Sequence, residues 1–519
     1  MTRRAVALAL GTLLAASCSM PWTSTPNQSP GTPELAIASD LPLSGILGVG
    51  VRPLRDAIAL AIHDRGTVGG YRLTYLSLDD ALIGTFNSAK AEQNVKLMIN
   101  DSRVVGVVGP FSSGAAGIAI QLANPANLAM VSPSNTADCL TYNAYHCFDK
   151  QVPDVNNYFR IASADSAQAS ATARFAFQTL HLTRFAVLDD GSFYGRNLAE
   201  AFAGALTAIG GTVVLRKPFS ATENDHTGLL HDALVAQAQA IYVGGPGETG
   251  ACRIRAQMPD VFPADAYMLG DDGMAGPSCV ADAGLAANDH FLAMVSDSQP
   301  PIDSKVYKEF KAHNIPPAPY TFAAYDCAQI IADAIGRAIQ ANGGKAPTRR
   351  QVLDAVASTL DFAGASGSFT FLPTGDATNP SASVYRVQDG RWTFWQNAPS
   401  LPKTTATTPL DGRWEVDFTR RELLRHTSDP DEDNPGNYGH LALEFNRGNF
   451  RLALGDGSVT AGTYEVTGNV ITFYRTDSQG PGEIWTSTWS VRGGKLTFVT
   501  GGPGAHPTLL IVKSWSRSS

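Results

Sequence analysis

Along most of this chain, short continuous apolar runs alternate with longer stretches in which apolar residues recur every three to four positions. The first form suits strands buried on both faces and the second suits the helices that cover them. Read this way, 34–39, 71–78, 104–108 and 128–131 are strands, separated by helices over 54–63, over 88–100 and from 112 onward. A crossing at 158–161 leads into the same rhythm again. Helices over 166–180, 197–209, 231–237 and 250–258 alternate with strands over 185–188, 212–216, 240–243 and 266–269. Each half therefore predicts its own doubly wound parallel sheet. From about 291 the helices 304–313, 320–342 and 349–359 are expected to return to the first half, and a hairpin of 384–387 with 392–395 to complete the second. Three crossings form a hinge that can close on a ligand.

After a Pro/Thr-rich linker over 399–411 the period shortens to two. Segments 414–418, 441–445, 450–454, 463–466, 470–474, 485–491, 495–499 and 509–515, with glycine-rich turns between them, predict a small antiparallel β-barrel over 412–519. Thr419 and Glu422 have the spacing of a capping box and open a short helix over 422–425. Trp414, Trp485, Trp489 and Trp515 are expected in the barrel core; lining a cavity for a small apolar ligand or a protein contact is the alternative.

The most informative chemistry lies between 104 and 136. The strand VVGVV closes on Gly109-Pro110, and Ser112-Ser113-Gly114 then opens a helix, offering backbone N–H groups, hydroxyls and the positive end of a dipole to a carboxylate. The next apolar run delivers Ser132-Pro133-Ser134-Asn135-Thr136 to the neighbouring strand end. Two polar loops at adjacent strand ends define a crevice for a small ligand, although such residues also serve as plain helix caps. In the second half, Tyr194 sits in the loop 189–195, and Asp271-Asp272 end a strand just before Gly273, where capping the turn is the other reading.

The pattern GP-x-SSG…SPS-x-T resembles the branched-chain amino-acid (leucine/isoleucine/valine) binding proteins of bacterial ABC importers over about 34–398. The resemblance implies an α/β, two-lobed type I periplasmic-binding fold: two doubly wound parallel sheets with a three-segment hinge. Its N-lobe would comprise 34–160 and 291–380, and its C-lobe 161–290 and 381–398. It further implies that Ser113, Thr136 and the backbone of Ser134 hold a ligand α-carboxylate. Asp272, or its neighbour Asp271, would meet the ammonium, and Tyr194 would reach the cleft from the second lobe. One departure is that the family's aromatic residue after the first strand is missing from Gly45-Ile46-Leu47-Gly48-Val49-Gly50, which leaves amino acids other than leucine, amides and small carboxylates open as ligands. The C-terminal segment looks like a lipocalin-type barrel and hints at an extra partner.

Composition narrows the classes further. With 519 residues the chain should hold two or three domains, and its formal charge of -8 gives no general electrostatic reason to bind nucleic acid or anionic lipid. Arg3-Arg4 before an apolar run over 5–16 read as an export signal, and Leu14-Ala15-Ala16-Ser17-Cys18 resembles a lipobox. Residues 1–18 would then be a lipoprotein signal peptide with Cys18 as the lipidated anchor on the bacterial cell membrane, and 19–33 a flexible tether; simple secretion is the alternative. In that oxidising setting Cys139 with Cys147, and Cys252 with Cys279, are expected disulfides, and Cys327 a buried thiol. Residues 245–250 match G-x-G-x-x-G, but Pro246 stiffens the loop and the unit comes late in its sheet, so no nucleotide cofactor is expected. Catalytic motifs are lacking, and His226 and His231 read as surface residues with no third metal ligand. The expectation is a non-enzymatic, extracytoplasmic solute-binding protein that gives a small zwitterion to an ABC permease. The alternative is a sensory or scaffold receptor whose barrel contacts an envelope partner.

Overall fold

A computed structural model describes residues 31–82, 85–141, 152, 155–220, 222–378, 382–398, 406–427, 433–475, 484–499 and 508–518. The expected signal segment, its Cys18 and most of the tether lie outside the described residues.

The first sheet has six strands, in the order Thr67–Val68, Tyr71–Asp79, Glu34–Leu41, Val104–Val108, Ala129–Ser132 and Tyr158–Arg160. All but the short first strand run parallel. Helices cover both faces, as the continuous apolar runs require: Gly45–Arg65 and Thr321–Ala341 on one side, Ser88–Asn100 and Ser113–Ala123 on the other. Thr321–Ala341 lies so close to the central strand that a Cβ at Gly106 would fall 2.5 Å from Ile331 Cγ2. The helix after the first strand starts at Gly45, nine residues before the expected 54, so the Gly45–Gly50 stretch is helical rather than a loop. Its glycines hid the period, and Gly48 is there because a Cβ would collide with the Leu43 carbonyl.

The second sheet has seven strands, in the order Thr212–Pro218, Arg184–Asp189, Ala240–Gly244, Tyr267–Gly270, Phe291–Val295, Ser383–Gln388 and Arg391–Asn397. The last two form an antiparallel hairpin on a parallel sheet. Because Phe291–Val295 pairs with Tyr267–Gly270, the recrossing falls after Val295 and not at 291. The return helices Lys305–Ala312, Thr321–Ala341 and Arg349–Ala357 follow, and Thr321–Ala341 and Arg349–Ala357 join the first core. Helix Arg349–Ala357 opens with a capping box between Thr348 and Gln351.

The tail closes into an eight-stranded antiparallel barrel in which each strand pairs with the next and Trp515–Arg517 returns to Gly412–Phe418. This up-and-down order matches the expected fold class. The final strand is Trp515–Arg517; the segment before it, read as strand from 509, is a single 3-10 turn at Thr508–Leu510. Aromatic side chains fill the interior. Phe473 lies 5.0 Å from Phe450, 6.0 Å from Phe445, 6.1 Å from Phe498 and 6.2 Å from Trp485, ring centre to ring centre. Trp414 and Trp515 are buried and donate their indole N–H groups to Leu410 O and Leu510 O, whereas Trp489 is only half-buried at the margin.

The barrel is docked on the second lobe. Tyr474 and Ile484 join that lobe's apolar core, and Thr486 donates to Ala208 O at 3.4 Å. Arg174, buried at the end of helix Asp165–Arg174, lies 5.9 Å from the Tyr474 ring centre, and burial pushes its guanidinium down to about 10. Tyr474→Ala is expected to lower the unfolding free energy by about 3–5 kcal/mol, as loss of a large buried ring does, measured by denaturant unfolding of the whole chain.

Candidate functional site

One wall of the site comes from the first lobe. The strand Val104–Val108 is followed by the cis peptide Gly109-Pro110, after which Ser112 holds the N-cap position of the helix Ser113–Ala123 without a side-chain capping bond. The neighbouring strand Ala129–Ser132 feeds the turn that holds Ser134 and Thr136. Short polar side chains lace the two loops together: Ser132 Oγ donates to Pro110 O at 2.9 Å, Ser134 Oγ to Phe111 O at 2.9 Å and Asn135 Nδ2 to the same oxygen at 2.6 Å. Ser113 Oγ accepts the Ala137 N–H at 3.4 Å, so the two turns do face each other. The Ser134 N–H is donated to Ser132 Oγ at 3.3 Å, which gives this amide work inside the turn. Beneath the turn, buried Arg160 donates from Nη1 to Ala137 O at 2.8 Å and to Asn135 O at 3.3 Å, and from Nε to Asp376 at 2.6 Å.

The other wall belongs to the second lobe. The strand Tyr267–Gly270 ends at Asp271 and Asp272, and the helix Phe193–Ala208 brings Tyr194 over them. Tyr194 Oη lies 2.8 Å from Asp271 Oδ1 and 3.2 Å from Asp272 Oδ1. Asp271 also accepts the N–H groups of Gly273 at 2.8 Å and Gly245 at 3.3 Å, which is turn capping. That same bond turns the Gly245 amide of the G-x-G-x-x-G loop toward a carboxylate. Asp272 is the residue that spans the lobes, because Tyr320 Oη donates to its Oδ2 at 2.8 Å. Tyr320 precedes the first-lobe helix Thr321–Ala341 with a left-handed φ of 63°, and Asp297 holds its N–H at 2.7 Å. A buried, non-glycine residue kept in that conformation marks a place where surrounding structure enforces geometry.

Between the walls lies a cavity of about 320 Å³, within the range of small-molecule sites. Ser113, Ala137 and Asp138 line it from the first lobe, Tyr194 and Asn197 from the second, and Asp165 from the start of the helix after the first crossing. Of the expected site residues, Ser113 and Tyr194 line this cavity. Asp271 and Asp272 are one hydrogen bond behind Tyr194, and buried Thr136 is the residue before Ala137. Its carbonyl accepts the Asp165 N–H at 2.8 Å.

Asp138, Asp165 and Tyr320 were not among the expected site residues. An aspartate opening a helix looks like a cap, and Tyr320 is hidden in the Pro-rich approach to a helix. The site is strongly acidic. Burial, then the charges of Asp138, Asp272 and Asp271, push the Asp165 carboxyl well above the usual range. Burial raises Asp271 to about 8, with Asp272 adding to the shift, and burial also raises Asp138 and Asp272. Among the described residues no cluster of His, Cys, Asp and Glu has the makings of a metal site. His226 is buried against Phe219 and not at the surface as expected.

Both lobes hold disulfide-bonded cysteines. Cys252 and Cys279 are bonded with their Cα atoms 5.2 Å apart, and Cys139 is disulfide-bonded beside the cavity, while its expected partner Cys147 lies outside the described residues. Cys327 is a buried free thiol.

A profile described as periplasmic binding protein matches residues 34–391. The Leu/Ile/Val-binding protein BraC3 of Rhizobium johnstonii is 26% identical over 367 residues, covering 69% of this chain and 93% of that one. An amino acid binding protein of Pseudomonas aeruginosa is 22% identical over 280 residues, 53% of this chain and 71% of that one. Among solved structures, the leucine binding protein LivK of Thermotoga maritima superposes with a TM-score of 0.58 at 24% identity, covering 70% of this chain and 98% of that one. LivJ of Streptococcus pneumoniae, in complex with isoleucine, does so with a TM-score of 0.58 at 22% identity over 70% and 99%.

The raised carboxyls make stability depend on pH. Asp271 holds its proton up to about 8 in the folded chain against an ordinary value of 3.8, so its contribution is full below about 4 and is lost as pH rises toward 8. Asp40 and Asp80, buried at the end of the first strands and raised to about 8 and about 7, act in the same direction. The thermal midpoint is therefore expected to fall from pH 5 to pH 8, and to fall less steeply in Asp271→Asn; equal slopes in the two proteins would contradict the assignment.

Proposed function

Since the chain belongs to the periplasmic binding protein family, we propose that it captures an amino acid or similar small zwitterion between its two lobes and delivers it to an ABC permease. The observation that carries this reading is the cavity bounded by Ser113 of one lobe and Tyr194 of the other, with Asp272 directly behind Tyr194. In this reading the ligand carboxylate takes up the Ser113 hydroxyl and the N–H groups at the start of helix Ser113–Ala123. The ammonium meets Asp272, whose Oδ2 keeps the Tyr320 hydroxyl from the other lobe. Each lobe then holds one end of the ligand, so binding favours closure through its difference in affinity for the closed and open forms. The Tyr320–Asp272 bond is the natural latch, since its two partners come from different lobes. No covalent step is needed. Amino-acid names among the relatives support the ligand class.

On the same reading, residues 34–398 act as the receptor unit, with 34–160 and 291–380 opposed to 161–290 and 381–398 apart from the shifted recrossing after Val295. Residues 1–18 direct export and lipidation of Cys18, so the receptor works outside the cytoplasm on a tether. A second reading, as a sensory or scaffold receptor with the same ligand chemistry, is favoured by one observation: the barrel is packed onto the second lobe.

Thermal-shift screening of the mature chain against amino acids and small carboxylates tests the proposal. A hit is expected to raise the midpoint, and Ser113→Ala and Asp272→Ala are each expected to weaken it by about tenfold or more, near 1.4 kcal/mol. Stabilisation that survives both substitutions would sink the site assignment.

A further inference from the structure

The end of the barrel that points away from the second lobe carries exposed cations that no protein group meets. Strand Ile484–Arg492 sets the direction: residues 484–487, on the lobe side, are buried on both faces, whereas Arg492 at the other end is exposed. At that far end, turns join Gly439–Asn446 to Asn449–Ala453, Val459–Thr467 to Val470–Arg475 and Ile484–Arg492 to Lys495–Val499. Arg447 stands in the first of these turns, and Arg492 and Lys495 flank the last; all three are exposed. Among the described residues their side chains make no ion pair or hydrogen bond. Other charges at this end are occupied. Arg413 pairs with Glu415 at 2.7 Å and also with Glu444, Arg517 lies 4.9 Å from the Trp414 ring centre, and Asp411 accepts the Arg447 N–H at 2.6 Å.

Both turns hold their cations against local preference. Arg447 and Gly448 have φ of 43° and 81°, a two-residue turn whose favoured first residue is asparagine, aspartate or glycine. Arg492 and Lys495 are direct partners across the ladder around Gly493-Gly494, and like charges so placed destabilise a hairpin. Residues that break local rules without serving the barrel's own packing point to a use outside it. The two turns join the second strand to the third and the sixth to the seventh of an eight-strand ring, so the cations lie on opposite sides of the rim. Aromatic side chains fill the interior between them.

We propose that this rim is a docking surface for anionic phospholipid headgroups. A plane of phosphate charge meets cations on both sides of the rim at once, which a free phosphate or a single acidic side chain does not. Each lysine or arginine brought to such a surface strengthens binding about fivefold, and arginine's planar fork suits phosphate oxygens. The chain as a whole, with its formal charge of -8, is repelled by that surface. The rim therefore arrives first, and the barrel stands between the bilayer and the lobes. The tether and lipid anchor proposed above supply proximity, but no cleft residue takes part, so the inference goes beyond ligand capture.

Cosedimentation with vesicles tests it, using the mature chain with Cys18→Ser so that no acyl group contributes. Binding to phosphatidylcholine vesicles containing about one-third phosphatidylglycerol is expected to be at least about tenfold tighter than to phosphatidylcholine alone. That preference is expected to vanish as salt rises from about 50 to about 300 mM, because exposed charges are screened. Replacing Arg447→Asn, Arg492→Gln and Lys495→Gln together is expected to bring the ratio below about threefold, with a thermal midpoint equal or higher because both turns are relieved. Equal binding to the two vesicles, or a preference that ignores salt, would overturn the proposal. A preference that survives the triple substitution would overturn the rim as its seat, and binding to heparin but not to anionic vesicles would overturn the lipid partner. The comparison of vesicles and salt in the chain with its rim intact decides the matter even if the triple variant folds poorly, and none of these failures touches ligand binding in the cleft.

Discussion

The buried guanidinium of Arg160 is the interaction on which the site geometry depends. It sits at the end of the edge strand Tyr158–Arg160, donates to the carbonyls of Asn135 and Ala137, and pairs with Asp376 on the last returning segment. One side chain thus joins the turn that holds Thr136, the strand that leads into the first crossing and the segment that leads into the third. A buried pair of this kind stabilises less through the attraction itself than through the cost of breaking it, about 3–5 kcal/mol when one partner is removed. Arginine suits the place because its planar fork can satisfy several acceptors at fixed angles, which lysine cannot.

Above that anchor, the cleft is built from carboxylates and tyrosines. Asp271 is largely an internal brace, tied to two backbone amides and to Tyr194, while Asp272 faces both lobes. This division separates two adjacent acids that the sequence alone leaves interchangeable. It also leaves Asp165 as the buried acid on the cavity wall with an oxygen that no protein donor meets. Buried carboxyls this close together bind protons more readily, which relieves their mutual repulsion.

The sequence revealed the parallel sheets clearly because runs such as Val104–Val108 and Ala240–Gly244 are apolar on both faces and stop at glycine. The motif pair around Ser113 and Thr136 pointed to two turns that the structure brings face to face, although residues of that kind also cap helices. Where the reading failed, local pattern was masked by tertiary contact. Three glycines concealed nine residues of the first helix, and pairing with Tyr267–Gly270 kept Phe291–Val295 in the second sheet. Tyr320 and Asp165 were overlooked for a different reason: their roles come from partners far away in the chain, Asp272 and Asp297 for one and the far wall of a cavity for the other. Alternation in the tail gave the barrel, but not its solid aromatic interior, which follows from how many large rings face inward at once.

That interior, together with the packing of Tyr474 and Ile484 into the second core, has a mechanical consequence. A filled barrel bends little, and its foot is embedded in one lobe. Under the proposed closure, the barrel would travel with that lobe as a stiff outrigger, so a motion of a few ångströms at the cleft would become a larger sweep at the far rim. Closure of that kind would turn occupancy of a small internal space into a change of outline at the chain's periphery.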